Sequence, residues 1–497
     1  MSNADLVIRG GKIVSPEQII DASIAIADGR IVAIGHDDLM PRAKQEMRAD
    51  GLHLLPGAID SHVHFRDPGY PNKETWKTGS AAAACGGVTT VFEMPNTNPS
   101  TGTVEALNIK LKAAQSSYVD FGIHGLLGDD TIGRLDELLD AGVTSFKAFV
   151  GNTFGNLPAP TDGALLEGFE KLAPLGIRTV VHAENSSIMA RRQHRMEQAG
   201  RIDPLAHLAA RPAVCEIEAV GRVLTLAEWT GARVHIAHHS AADSLFLIRE
   251  AKRRGVDVTV ETCPQYLLLN TTDMLRLGGI LRLNPPIREA RHNQPLWDAL
   301  MDGTIDMIAT DHAPHTPEEK TRESIWACDC GFPGVETQMP LMLTEVNRER
   351  ASLMDYVKWS AAAPAKAWGL YGTKGVLAVG AHADIAIVDM AKRGVLSQGR
   401  LQSISRISPW NGRSVQGTPL HTLVRGRFVM RDGQLVADAA GWGVSVKGVQ
   451  KMPTPKPRNT EHYISAVLET PAGVPRTAVP VAPTPDPFLD APDQEAA

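Results

Sequence analysis

The sequence predicts a (β/α)8 TIM barrel carrying a small β-sandwich domain formed from both termini. Three observations predict it. Eight short apolar runs in the middle of the chain alternate with stretches of helical periodicity. Both ends carry strand-like runs punctuated by Gly-Gly and Asp-Gly. No Gly-x-Gly-x-x-Gly follows the first strand of the middle, which removes the usual support for a doubly wound dinucleotide fold.

In chain order, residues 1–55 read as short strands in DLVIRGGKIV, ASIAIADGRIVAIG and LHLLPGAID. The same texture returns in HADIAIVDM and HTLVRGRFVMRDGQLV, where Asp432-Gly433 marks a hairpin. Residues 1–55 and 366–440 are therefore expected to build one composite β-domain. Between them, at 56–365, lie LLPGAID, VTTVFEM, FGIHGLL, VTSFKAFV, IRTVVHA, RVHIAH, VDVTVET and IDMIAT. Connections such as GALLEGFEKLAPLG and SLFLIREAKRRG are long enough for parallel crossovers, as a barrel requires. Residues 441–497 are expected to form a tail, because 451–497 hold 10 of the 33 prolines. Such a tail either wraps a neighbouring subunit or is a plain unstructured terminus.

Composition narrows the function classes. At 497 residues the chain is too long for one ordinary core, and 43% hydrophobic residues exclude a disordered chain. A net charge of −6 without a basic stretch argues against nucleic acid. No run of 18 apolar residues is present, so no membrane span is expected, and the first residues lack a signal-peptide layout. Five cysteines without disulfide spacing point to the cytoplasm. The 17 histidines are what composition leaves unexplained.

Barrel enzymes build their sites where the strands end. The first barrel strand ends Asp60-Ser61-His62-Val63-His64-Phe65-Arg66, and a period of two puts His62, His64 and Arg66 on one face. Alone, such a pair is more often structural than metal-binding. Other strand ends add His182 in VVHAEN, His238 in HIAHHS and Asp311 in IATDHAPH. Imidazoles and a carboxylate at separate strand ends of one barrel favour zinc and tolerate manganese or cobalt. Lys147, between two phenylalanines in SFKAF, does not fit as an ammonium beside a divalent ion. Either a carboxylate pairs with it, or its amine is converted to an anionic carbamate.

The motifs DSHVHFRDPG, AAAACGGVTTVFEMPNTNP, FKAF, HAEN, HIAHHS, ETCPQYL, NPPIR, ATDHAPH and GVETQMPLML together resemble the cyclic-amide hydrolases of the amidohydrolase superfamily, over roughly residues 1–435. That group includes dihydroorotases, allantoinases and hydantoinases or dihydropyrimidinases. The resemblance implies two divalent metals, usually Zn2+, and a homodimer or homotetramer. It implies His62 and His64 on the more buried metal, His182 and His238 on the other, and Lys147 as N6-carboxylysine bridging them. It also implies Asp311 as both ligand and catalytic base. His235 falls outside the motif and reads as structural.

Substrate class turns on a few more residues. Arg66 suits a two-pronged grip on a carboxylate, and Asn96 and His315 could each add a hydrogen bond. In dihydroorotases these three motif positions hold the ring acid, and Asn284 resembles a further contact there. The expectation is therefore dihydroorotase-like chemistry: reversible hydrolysis of L-dihydroorotate to N-carbamoyl-L-aspartate. The alternative is an allantoinase, a hydantoinase/dihydropyrimidinase or a cyclic-imide hydrolase, because ETCPQYL is closer to those enzymes. IWACDCGFPG, with Cys328 and Cys330, matches no dihydroorotase pattern, and its thiols read as plain loop residues. A non-catalytic scaffold is disfavoured by the complete ligand set, and a mononuclear deaminase by Lys147.

Overall fold

The computed structural model describes residues 4–151, 154 and 157–446. Among the described residues, seventeen strands fall into two sheets. The first five are β1 (Ala4–Val14), β2 (Ile19–Ala27), β3 (Arg30–Gly35), β4 (Ala43–Arg48) and β5 (His53–Pro56). The barrel strands are β6 (Ala58–Val63), β7 (Val88–Glu93), β8 (Asp120–Leu126), β9 (Ser145–Phe149), β10 (Arg178–His182), β11 (Arg233–Ile236), β12 (Val258–Thr262) and β13 (Met307–Ile308). The last four are β14 (Ile385–Val395), β15 (Ser414–Val424), β16 (Arg427–Arg431) and β17 (Gln434–Leu435).

Strands β6 to β13 run parallel in sequential order. The circle closes where Val63 bridges His312, with His64 N donating to His312 O at 2.7 Å. This is the (β/α)8 barrel, its strands buried on both faces and rich in Val, Ile and Phe as parallel strands require. Helices leave the strand ends behind side-chain caps: Thr75, Thr103, Thr161 and Asn185 each accept from a first-turn N–H. The Asn of HAEN is thus a helix cap.

The other nine strands form one mixed sheet ordered β17-β16-β15-β14-β5-β1-β2-β3, with β4 on β1. The sheet folds over on itself. Ile24, Ile26 and Ile31 from its start share a core with Ile385, Ile387 and Leu423 from its end. LHLLPGAID, a single run in the sequence, is split at Gly57: β5 belongs to the outer sheet and β6 to the barrel. A Cβ at Gly57 would meet Thr89 at 2.2 Å, so the chain passes too close to β7 for any side chain.

A buried ion cluster binds the two sheets. Lys374 donates to Asp120, at the start of β8, at 2.7 Å and to Asp384 at 2.6 Å, and Arg425 also meets Asp120. Lys374→Met strands these carboxylates in the interior and is expected to cost about 3 kcal/mol or more of unfolding free energy, read by urea denaturation. At the barrel floor Trp368 packs on Phe92, with ring centroids 5.2 Å apart, and on His235 at 4.9 Å. Residues 441–446, expected to open the tail, lie along the start of β8: Phe121 N donates to Val444 O, and Val446 N to Phe121 O. The remainder of the expected tail, 447–497, lies outside the described residues.

Candidate active site at the barrel strand ends

The strand ends gather one set of donors. His62 and His64 ring centroids are 5.2 Å apart, those of His62 and His238 5.1 Å, and those of His182 and His238 4.7 Å. Asp311 Oδ1 stands 3.1 Å from His64 Nε2 and 3.5 Å from His62 Nε2. His182 Nδ1 faces His238 Nε2 at 2.9 Å. Burial pushes His62 down to about 4, and holds His64 and His238 well below the ordinary imidazole range. All three rings are therefore neutral near pH 7, as lone-pair donors to a metal must be. Burial also pushes the Asp311 carboxyl up, to about 8, against the pull of Lys147 and Arg66.

Three of the imidazoles are held from behind. His62 Nδ1 meets Glu261 Oε1 at 2.6 Å, His64 Nδ1 meets Asn96 Oδ1 at 2.6 Å, and His182 Nε2 meets Glu184 Oε2 at 3.1 Å. Glu184 is paired in turn with Arg211. Asp60 accepts from His62 N, Thr310 N and Thr310 Oγ1, tying the first barrel strand to the residue before Asp311. Three non-glycine residues here adopt left-handed backbone: Arg66 (φ 60°), His238 (φ 37°) and Asp311 (φ 49°). Such strain persists only where surrounding contacts enforce it, and it clusters at functional sites.

These side chains open on a small cavity of about 30 Å³, lined by His62, His64, His182, His238, Asp311, Arg66, Asn96 and Asn284. Of the residues the sequence singles out, eight are brought together on its wall. Lys147 and His315 are not on it. Asn96 is on the wall, yet its carbonyl oxygen is engaged by His64. His315 is fully buried behind Arg66, its Nε2 3.1 Å from Arg66 Nη2 and its Nδ1 3.0 Å from Lys73 Nζ. The structure thus places His315 against the arginine, not against the cavity. Arg66 stacks 4.4 Å over the Phe154 ring and leaves Nη1 without a hydrogen-bond partner among the described residues. Asn284 Oδ1 is likewise unpartnered. Cys330, read from the sequence as an ordinary loop thiol, lines the cavity. All five cysteines are free thiols.

Sequence reasoning missed Glu261, Glu184 and Cys330. A signal existed for the glutamates: each interrupts an apolar strand end, VTVET or VVHAEN, and a buried carboxylate demands partners. His235, read as structural, faces Glu261.

The donor chemistry fits divalent metal. Three groups of side chains among the described residues come close enough to share an ion. In His315–Glu319–Asp329 the Lys73 ammonium already sits among the donors, and in Asp120–His382–Asp384 Lys374 holds both carboxylates. His62–His64–Asp311 has no such cation in contact among the described residues. Lys147 is fully buried on β9, its Nζ lacks a hydrogen-bond partner among the described residues, and burial pushes it down to about 8. An ordinary ammonium in that position would stand desolvated and unpaired.

The barrel and its strand-end donors are those of a barrel hydrolase, and the chain belongs to the amidohydrolase family, whose pattern spans residues 53–429. The chain is 38% identical to an allantoinase of Rubrobacter xylanophilus, over 89% of this chain and 97% of that one. It is 36% identical to an L-hydantoinase of Paenarthrobacter aurescens, over 87% and 96%. The solved L-hydantoinase (dihydropyrimidinase) of Arthrobacter aurescens superposes with a TM-score of 0.87 at 35% identity, covering 90% of this chain and all of that one. The protein is accordingly a hydrolase acting on carbon–nitrogen bonds of cyclic amides. No helix among the described residues is long and apolar enough to cross a membrane.

Proposed function

We propose that this enzyme opens a cyclic ureide of the allantoin or hydantoin type, using two divalent ions, with zinc the best match to the donors. The carrying observation is the convergence of His62, His64 and Asp311 on a cavity whose wall also bears the unpartnered polar atoms of Arg66 and Asn284. His62, His64, His182, His238 and Asp311 would hold the ions, together with Lys147 as its carbamate. What supports the carbamate is the buried Lys147 amine with no partner among the described residues. The five free thiols fit a reducing compartment such as the cytoplasm.

Bound metal would supply Lewis acidity, lowering the pKa of water and polarising the amide carbonyl. The protein's own groups do the rest. Asp311 accepts the proton that the attacking water loses as its oxygen bonds to the ring carbonyl carbon. It returns that proton to the ring nitrogen as the C–N bond breaks, because an amide nitrogen leaves only when protonated. Arg66 Nη1 and the Asn284 side chain orient the ring's other polar groups.

The dihydroorotate expectation gives way as the leading reading, because relatives matched over nearly their whole length are named allantoinase and L-hydantoinase. One observation keeps it as a second reading: Arg66 is buried without a carboxylate partner among the described residues, as a site for a substrate anion would be. Comparing kcat/KM for allantoin, hydantoin, dihydrouracil and dihydroorotate decides between them. Arg66→Met is expected to lower kcat/KM on the best substrate by about 10- to 100-fold, the worth of a charge-assisted hydrogen bond. A change below threefold would remove Arg66 from substrate binding.

A further inference from the structure

One buried carboxylate beneath the site is held by more groups than packing requires. Glu261, on β12, is fully buried. Its Oε1 meets His62 Nδ1 at 2.6 Å and accepts from His238 N at 3.2 Å. Its Oε2 accepts from Ser61 Oγ at 2.7 Å and faces His235 Nε2 at 3.0 Å. His235 Nδ1 lies 2.8 Å from Thr259 Oγ1, and its ring packs edge-on against Trp368 of the barrel floor. A line of contacts therefore runs from the floor through His235 and Glu261 to His62.

The direction of this line follows from hydrogen-bond chemistry. An ionised carboxylate can only accept, so the short contact fixes the proton of His62 on Nδ1. That leaves the Nε2 lone pair on the side facing Asp311. His235 Nε2 stands 3.0 Å from the carboxylate without an aligned hydrogen bond among the described residues, and its Nδ1 can accept from the Thr259 hydroxyl. Through His238 N the same carboxylate also sets the left-handed backbone that presents a second donor ring.

We infer that Glu261, braced by His235, is a positioning residue that sets the tautomer and ring direction of His62 and the backbone presenting His238. The inference rests on the reading of these histidines as metal ligands. Partners of this kind are generally worth 10- to 100-fold in metal affinity.

The test loads metal-free protein with cobalt, whose visible spectrum reports ligand geometry, and titrates affinity by equilibrium dialysis. Glu261→Gln is expected to bind cobalt about 10- to 100-fold more weakly, with a displaced visible spectrum. At saturating metal it should show a lowered kcat with little change in KM. His235→Gln should move affinity and spectrum in the same direction by a smaller factor. Ser61→Ala keeps both histidine contacts and should leave both readouts near wild type. Wild-type affinity and spectrum in Glu261→Gln would overturn the inference, as would a Ser61→Ala loss equal to that of Glu261→Gln. If Glu261→Gln does not fold, His235→Gln with wild-type affinity and spectrum overturns it. Wild-type protein that holds no metal brings down the proposed function as well, so the two failures are distinguishable.

Discussion

Asp311→Asn is expected to lower kcat by at least about 100-fold while bound metal persists. The side chain keeps one oxygen able to face His62 and His64, at the 3.5 and 3.1 Å seen for Oδ1. What it loses is the capacity to accept a proton and give it back. Because amide hydrolysis needs that proton twice, at attack and at departure, the loss should fall on kcat with KM changed little. Metal analysis separates this from ligand loss. Near-wild-type turnover, or a protein emptied of metal, would each remove Asp311 from the role of base.

Lys147→Met should be more severe, because under the proposed function it removes a ligand as well as an amine. Methionine fills the buried space beside Phe149 and relieves the desolvated, unpaired amine, so the fold should survive or gain stability. Metal content is expected to fall and turnover to vanish together, with the melting temperature of the metal-free protein unchanged or raised. In the wild type, labelled bicarbonate should enter Lys147 and be seen by NMR or intact mass. A metal-replete, active Lys147→Met enzyme would sink the carbamate.

All eight barrel strands are legible in the sequence, because parallel strands buried on both faces appear as uninterrupted Val-, Ile- and Phe-rich runs. The donors His62, His64, His182, His238 and Asp311 are legible for a related reason: a polar residue closing an apolar strand has few places to go but the rim. Other features depend on geometry that spacing does not carry. The break at Gly57 is invisible because glycine within an apolar run marks nothing until Thr89 of the neighbouring strand crowds it. His315 stands four residues past Asp311, yet a loop turns it behind Arg66 toward Lys73, whose identity as a partner only the fold reveals. Glu261 is the most instructive omission. Its neighbours come from β6, β11 and the turn after β11, so no local pattern could assemble them.

The continuity of β5 and β6 through Gly57 has a consequence for synthesis. β5 pairs with β14, Pro56 standing opposite Ile385, and Gly57 N donates to Asp384 O. The ribosome must therefore make the entire barrel before β5 finds its second neighbour, a wait of roughly 20–60 s at common elongation rates. Throughout that interval an unpaired strand edge sits a few residues from the first two imidazoles of the site. A chaperone that shields this nascent edge, or slow release from the ribosome, should raise the yield of active enzyme without touching any residue of the cavity.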